Sequence, residues 1–237
     1  MKEVVVLAGG RGQRLRPYTD VEPKPMLRVG RRPILEFVLT NIKKNGFRDV
    51  IIAAGYKSDR IKDYFGDGSK LGLNIDYVIE EEPKNTAGAL IELKDMLKDD
   101  FLVVMGDHLT DMNLKELLEF HKKEKAIVTI ALKKVKEAVE YGVVDVEGSV
   151  IKGFKEKPII AHYINTAIYA MNKEVFEFIN PYNDIAKDVL PRISKKRQDK
   201  LKAYISEDYW QDVGRVKDYE KMRDIFSAVE LYLRLFK

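Results

Sequence analysis

Two segments near the amino terminus carry residue types that handle phosphate. The first, Leu7-Ala8-Gly9-Gly10-Arg11-Gly12-Gln13-Arg14-Leu15, closes the β-branched run Val4–Leu7. Glycines let backbone amides approach an anion closely, and arginine grips phosphate oxygens in pairs. The spacing is not a dinucleotide fingerprint, because Leu15 stands where the third glycine belongs, nor a P-loop, because Gly-Lys-Ser/Thr is missing. Alone, it reads equally as a strand-to-helix turn with solvated arginines. The second segment is Pro23-Lys24-Pro25-Met26-Leu27. Proline fixes φ and restrains its predecessor, so Lys24 is displayed from a stiff backbone, more support than a solvated lysine needs. Residues 11–33 gather seven cations against Asp20 and Glu22, although the whole chain is only +4. That concentration favours a compact anion such as a triphosphate over a nucleic-acid track, which would need a basic stripe interleaved with aromatics.

Candidate acidic partners stand far away in sequence. Asp107 follows Gly106 at the end of the apolar run Phe101–Met105, and Asp212 lies between Trp210 and Gly214. Ligands of open α/β sheets bind beyond the carboxyl ends of strands, which suits Asp107. A turn residue at Asp107, a helix cap at Asp212 and a loop lysine at Lys157 are the bland alternatives. The three histidines, His108, His121 and His162, share no metal-ligand spacing; His108 neighbours Asp107 as an outer partner at most. There is no cysteine, which excludes disulfides and thiolate chemistry.

The elements that must position these groups follow from hydrophobic periodicity. Val4–Leu7, Val50–Ala53, Ile75–Ile79, Phe101–Met105 and Ile127–Leu132 read as strands. Between them, helices are expected at Ile34–Lys44 with Gly46 as its stop, from Ser58 (its side chain the cap) to about Phe65, over Thr86–Leu97 and over Leu114–His121. This alternation predicts a largely parallel sheet covered on both faces. After residue 135, Gly142–Val146, Ile151–Lys155 and Asn165–Ala170 read as short strands of a separate antiparallel layer. Helices at 173–179 and 185–194, a strand at 201–205 and an amphipathic helix from Val216 to the end complete the reading. That last helix offers more apolar surface than one stripe needs, which leaves a homo-oligomer open. With 237 residues, 45% hydrophobic content and no linker or repeat, one domain over 1–237 is expected. The run Val4 to Ala8 is too short for a signal peptide or a membrane span, so a cytoplasmic protein with no membrane partner is expected.

The stretches LAGGRGQRLRPYT, PKPMLRV and RPIL together closely resemble the signature of the nucleotide-sugar pyrophosphorylases, the sugar-1-phosphate nucleotidyltransferases. The similarity continues along the chain. Glu80-Glu81-Glu82-Pro83 with Thr86-Ala87-Gly88-Ala89 resembles the family's nucleobase loop, and Gly106-Asp107 its metal aspartate. Tyr141-Gly142-Val143-Val144, Phe154-Lys155-Glu156-Lys157-Pro158 and Ile164-Asn165-Thr166-Ala167 resemble its sugar-phosphate elements. Trp210-Gln211-Asp212-Val213-Gly214 resembles the second metal aspartate in its setting. The whole is most similar to the mannose-1-phosphate guanylyltransferases. Gln13, Asn85 and Ala167 depart from the threonine, glycine and glycine common at those places. No hexapeptide β-helix repeat of the kind many relatives carry occurs in these 237 residues.

The resemblance implies a Rossmann-like, mostly parallel α/β sheet flanked by helices, with a small antiparallel sugar-binding layer. Residues 1–135 would bind nucleotide; residues 136–237 would bind sugar phosphate and supply the C-terminal helix. It implies nucleotidyl transfer from a nucleoside triphosphate to a sugar 1-phosphate, GTP and mannose 1-phosphate first, with UTP or dTTP and glucose 1-phosphate, or a non-catalytic nucleotide-sugar sensor, as alternatives. Arg14, Lys24 and Lys157 would be catalytic. Leu7, Gly9, Gly10, Gly12, Glu82, Asn85 and Gly88 would bind nucleotide. Gly142, Glu156, Asn165 and Thr166 would bind sugar phosphate, and Asp107 and Asp212 would hold Mg²⁺. Oxygen-only donors suit that hard cation. No nucleic-acid partner is expected.

Overall fold

The computed structural model describes residues 1–235. In chain order the elements are β1 (Lys2–Ala8), α1 (Tyr18–Val21), β2 (Arg28–Val29), β3 (Arg32–Pro33), α2 (Ile34–Lys44), β4 (Asp49–Ala54), α3 (Ser58–Phe65), β5 (Asn74–Ile79) and α4 (Asn85–Ile91). There follow β6 (Leu97–Met105), β7 (His108–Thr110), α5 (Leu114–Glu124), β8 (Val128–Ala138), β9 (Val143–Glu147), β10 (Val150–Lys155) and β11 (Ile159–Asn172). The chain ends with α6 (Leu190–Lys196), β12 (Leu201–Ile205), β13 (Trp210–Asp212) and α7 (Val216–Leu235).

Seven strands form one sheet in the order β12-β8-β11-β6-β1-β4-β5. Only β11 runs against its neighbours, antiparallel to both β6 and β8. The parallel centre is apolar on both faces because both are covered, so Val4, Val5 and Val6 are all fully buried. On one face Val4, Val6, Ile52 and Leu102 pack beneath Leu35, Leu39, Ile42 and Leu117 of α2 and α5. On the other, Val5, Ile51 and Val103 pack beneath Leu90, Val175 and Ile193. A third cluster lies outside the sheet, where Leu15, Leu27, Val29 and Ile34 meet Val213, Tyr219 and Met222.

The sheet reaches into both halves of the chain, and the expected antiparallel layer is smaller than periodicity suggests. Of its three segments, those in β9 and β10 pair with each other apart from the main sheet. Asn165–Ala170 belongs instead to β11, a central strand of the main sheet paired with β8 and β6. The helix expected over Thr86–Leu97 stops at Ile91; a 3-10 turn follows at Lys94–Met96, and Leu97 already pairs with Lys2 as sheet. Ser58 does not cap α3: Lys57 holds the cap position in the left-handed region (φ 53°) without a side-chain cap bond, and Ser58 is inside the helix. Lys173–Phe178 forms 3-10 turns, and 185–196 divides into a π turn and α6. Among the described residues no helix is long and apolar enough to cross a membrane. The expected end of the last helix, residues 236–237, lies outside the described residues.

Candidate active site

The glycine loop leaves β1 at the centre of the sheet, between the carboxyl ends of β4 and β6. It lines a cleft of about 510 Å³ with Arg14, Lys24, Glu80, Asn85 and Asp107. Leu7, Gly9 and Gly10 line it as well. Gly12 sits at φ 63°, and a Cβ there would come within 2.9 Å of Thr19 Cγ2 and 3.1 Å of Lys24 Cβ. Only glycine combines that backbone with that crowding. Thr19 closes the turn by donating its hydroxyl to the Gly12 carbonyl at 3.0 Å.

Lys24 is the buried cation of the cleft, 9% exposed. Its backbone enters a 3-10 turn between two prolines, with the Met26 amide donating to the Pro23 carbonyl at 2.8 Å and the Leu27 amide to the Lys24 carbonyl at 3.1 Å. The stiff presentation read from Pro23 and Pro25 is therefore realised. The Lys24 ammonium forms an ion pair with Asp107 and lies 3.5 Å from Asp212 Oδ1.

Two ladders bring these carboxylates together. In the parallel pairing of β1 with β6, Leu7 faces Met105, and the Gly106 amide donates to the Leu7 carbonyl at 2.9 Å. Asp107 thereby lands beside the glycine loop. In the short antiparallel pairing of β7 with β13, Asp212 faces His108. The His108 Nε2 atom lies 3.6 Å from Asp107 Oδ1 and 3.6 Å from Asp212 Oδ1. Donor atoms of Asp107, His108 and Asp212 all fall within 4.8 Å of one another. Asp107 Oδ1 is buried and has no hydrogen-bond partner. A buried orphan oxygen is costly unless something positive meets it, so the donor set fits a divalent cation. Burial works to raise the Asp107 pKa. The charge of Lys24, with His108 and the lysine hydrogen bond, overcomes it and leaves the carboxyl below its ordinary value.

A family description, nucleotidyl transferase, matches residues 3–227. The chain belongs to the nucleotidyl transferase family. Mannose-1-phosphate guanylyltransferase of Mycobacterium tuberculosis is 35% identical over 224 residues, which cover 92% of this chain and 62% of that protein. D-glycero-alpha-D-manno-heptose 1-phosphate guanylyltransferase of Aneurinibacillus thermoaerophilus is 34% identical over 223 residues, 92% of this chain and 96% of that protein. The chain thus spans less than two thirds of the first relative and nearly all of the second. The crystal structure of HddC from Yersinia pseudotuberculosis superposes with a TM-score of 0.75 at 27% identity, covering 95% of this chain and 100% of that one. The same protein has been crystallised with GMP-PN, and that structure matches at 26% identity.

Other expected site residues stand apart from the cleft. Glu82 is exposed, because β5 ends at Ile79 and the chain turns outward. Glu80 takes the inward position instead: its carboxylate would lie 3.0 Å from a Cβ on Gly9, and its pKa is raised, chiefly by burial. Gly88 serves packing, since a Cβ there would come within 2.9 Å of the Tyr182 amide nitrogen. Thr166 is fully buried and donates its hydroxyl to the Ala131 carbonyl at 2.7 Å, so that hydroxyl is committed within the fold. Asn165 accepts the Ala167 amide at 2.8 Å and donates to Tyr169 at 3.0 Å. Gly142 at the entry of the exposed β9–β10 ribbon, and Glu156 and Lys157 at its exit, lie outside the lining of the cleft.

The departures from glycine now have a backbone meaning. Asn85 and Ala167 are both left-handed, at φ 58° and 55°. Asparagine tolerates that region; alanine is strained by roughly 1–2 kcal/mol. Glu80 and His108, which the sequence placed only in the nucleobase-loop stretch and as an outer partner of Asp107, stand directly at the site. Histidine spacing held no signal for His108, because its partner Asp212 arrives through a ladder from the far end of the chain.

Proposed function

We propose that this chain transfers a nucleotidyl group from a nucleoside triphosphate to a sugar 1-phosphate, releasing pyrophosphate, with GTP and mannose 1-phosphate as the preferred pair. The observation that carries this reading is the Lys24 ammonium held against Asp107 and Asp212 at the mouth of a glycine loop. Cations and a divalent-cation site meet where a triphosphate would be cradled. The guanylyltransferase relatives, both named for manno-configured sugar phosphates, support the choice of base and sugar.

In the proposed reaction a phosphate oxygen of the sugar 1-phosphate attacks the α-phosphorus in line. The new oxygen–phosphorus bond forms as the bond from the α-phosphorus to the bridging oxygen breaks, and that electron pair leaves with pyrophosphate. A phosphate monoester is largely dianionic at neutral pH, its second pKa being about 6, so no general base is required. The obstacle is repulsion between anions. The loop amides and Arg14 hold the β- and γ-phosphates, and Lys24 neutralises the reacting centre. Lys157 reaches the sugar phosphate from the ribbon that carries it, with Gly142 and Glu156 beside it and Asn165 toward the sugar hydroxyls. Asp107 and Asp212 would hold Mg²⁺, which supplies Lewis-acid stabilisation of phosphoryl charge when bound. Such preorganised groups are worth about 10²–10³ in rate each.

Glu80 gives the reading its base preference. Guanine presents two adjacent donors, N1–H and the 2-amino group, and a carboxylate accepts both. Uracil and thymine present one donor flanked by carbonyls, which a carboxylate repels. A matrix of five triphosphates against several sugar 1-phosphates, followed by pyrophosphate release, should give its fastest rate with GTP and mannose 1-phosphate. Release in no well would favour a nucleotide-sugar sensor. Glu80→Gln, whose amide matches a uracil edge, should lower kcat/KM for GTP by about 10–100-fold and raise it for UTP or dTTP. An unchanged base profile would take Glu80 out of the base pocket.

A further inference from the structure

We infer that His108 is a third metal donor beside Asp107 and Asp212, and that its nitrogen biases the site toward manganese(II) and cobalt(II) over magnesium. This rests on the proposed cation site and goes beyond it by naming a nitrogen ligand and the class of metal it selects.

The tautomer is fixed by its surroundings. His108 Nδ1 lies 3.1 Å from the Thr166 carbonyl oxygen, which can only accept, so Nδ1 carries the proton and donates. In the neutral ring the lone pair then lies on Nε2, and Nε2 is the atom that stands equidistant from the two aspartate oxygens. At 3.6 Å from each it makes no hydrogen bond to either. The ring is 8% exposed and so is held in the site with its acceptor atom aimed at the acidic pair. Trp210 packs edge-on against it at 5.3 Å between centroids and donates its indole N–H to the same Thr166 carbonyl at 3.0 Å. A backbone carbonyl on the remote nitrogen is the usual outer support of a metal-ligating imidazole. That carbonyl is available because β11 bulges between Asn165 and Tyr169. Adjacent residues normally point to opposite sides of a strand, but β7 begins only at His108, and Asp107 lies in the turn before it. Both side chains can therefore serve one centre.

Two carboxylates alone suit magnesium, whereas an imidazole donor favours later first-row metals, with cobalt(II) bound more tightly than manganese(II). The chain's single tryptophan is Trp210, so its fluorescence reports directly on this centre. Chelator-stripped full-length protein should show Trp210 quenching on titration with cobalt(II). His108→Asn should weaken cobalt(II) binding by at least about tenfold and leave Mg²⁺ affinity, read by displacement of manganese(II), within about threefold. Independently of any variant, the electron spin echo of manganese(II) on the wild-type protein should carry modulation from a directly bonded imidazole nitrogen. Bound manganese(II) without that modulation would overturn the inference while sparing the cation site. Equal losses for Mg²⁺ and cobalt(II) in His108→Asn would overturn it too. Manganese(II) binding indifferent to Asp107→Asn would overturn the cation site itself, and this inference with it.

Discussion

Removing one charge from the Lys24–Asp107–Asp212 cluster isolates what that charge does. Asp107→Asn keeps the side-chain volume, and Lys24 retains Asp212 at 3.5 Å, so the fold has no reason to open. Turnover should fall about 10³-fold, with circular dichroism and melting temperature close to wild type. Near-normal rates would remove Asp107 from the cation site. At this scale much was legible in the sequence. The glycines, Lys24 between prolines and Asp107 after an apolar strand each carry a local physical signature. Thr166 and Glu82 did not behave as their motif suggests, because a hydroxyl's partner and a turn's direction are set by neighbours that spacing does not name.

Between elements, α5 meets the sheet through one buried polar contact. His121, 1% exposed, has Nδ1 2.9 Å from the Thr129 hydroxyl of β8 and Nε2 3.5 Å from Asp100 Oδ1 of β6. Burial lowers its pKa more than the Asp100 carboxylate raises it. The folded chain therefore binds fewer protons here than the unfolded chain, whose histidine titrates near about 6.5. Stability from this site is full above that value and is lost as pH falls through the folded-state pKa. Between pH 7 and 5 the wild type should lose stability more steeply than His121→Gln, by up to about 1 kcal/mol per pH unit, in urea melts at each pH. Parallel slopes would contradict it. Periodicity gave these helices and strands well where they are long and apolar. It overran at 92–97, where a helical stretch of leucines is claimed by pairing of Leu97 with Lys2, and it misplaced β11, whose central position depends on partners from both halves of the chain.

Across the whole molecule, α7 secures the cationic segment from outside the sheet. Tyr219 and Met222 pack into the cluster under Leu15 and Leu27, and the Tyr219 hydroxyl donates to the Arg28 carbonyl at 3.0 Å. Tyr18 in turn donates to Glu220 at 2.8 Å. The far half of α7 leaves Leu231, part of the apolar surplus noticed in the sequence, exposed together with Val229 and Leu233 of the helical stripe. Met222→Ala should cost about 2–5 kcal/mol, lowering the melting temperature by about 5–15 °C. It should also raise KM for the triphosphate more than it lowers kcat. A stable variant with unchanged KM would show that α7 does not brace the loop. No composition or period reveals this brace, because it joins opposite ends of the chain.

The three-residue pairing of β7 with β13 also sets a timetable for synthesis. The glycine loop, Lys24 and the first carboxylate are translated within the first 107 residues, but the second carboxylate emerges only at Asp212. A nascent chain hence carries its glycine loop and Lys24 long before it can hold both carboxylates of the proposed cation site. A chain stopped before Asp212 would lack the second carboxylate of the proposed cation site.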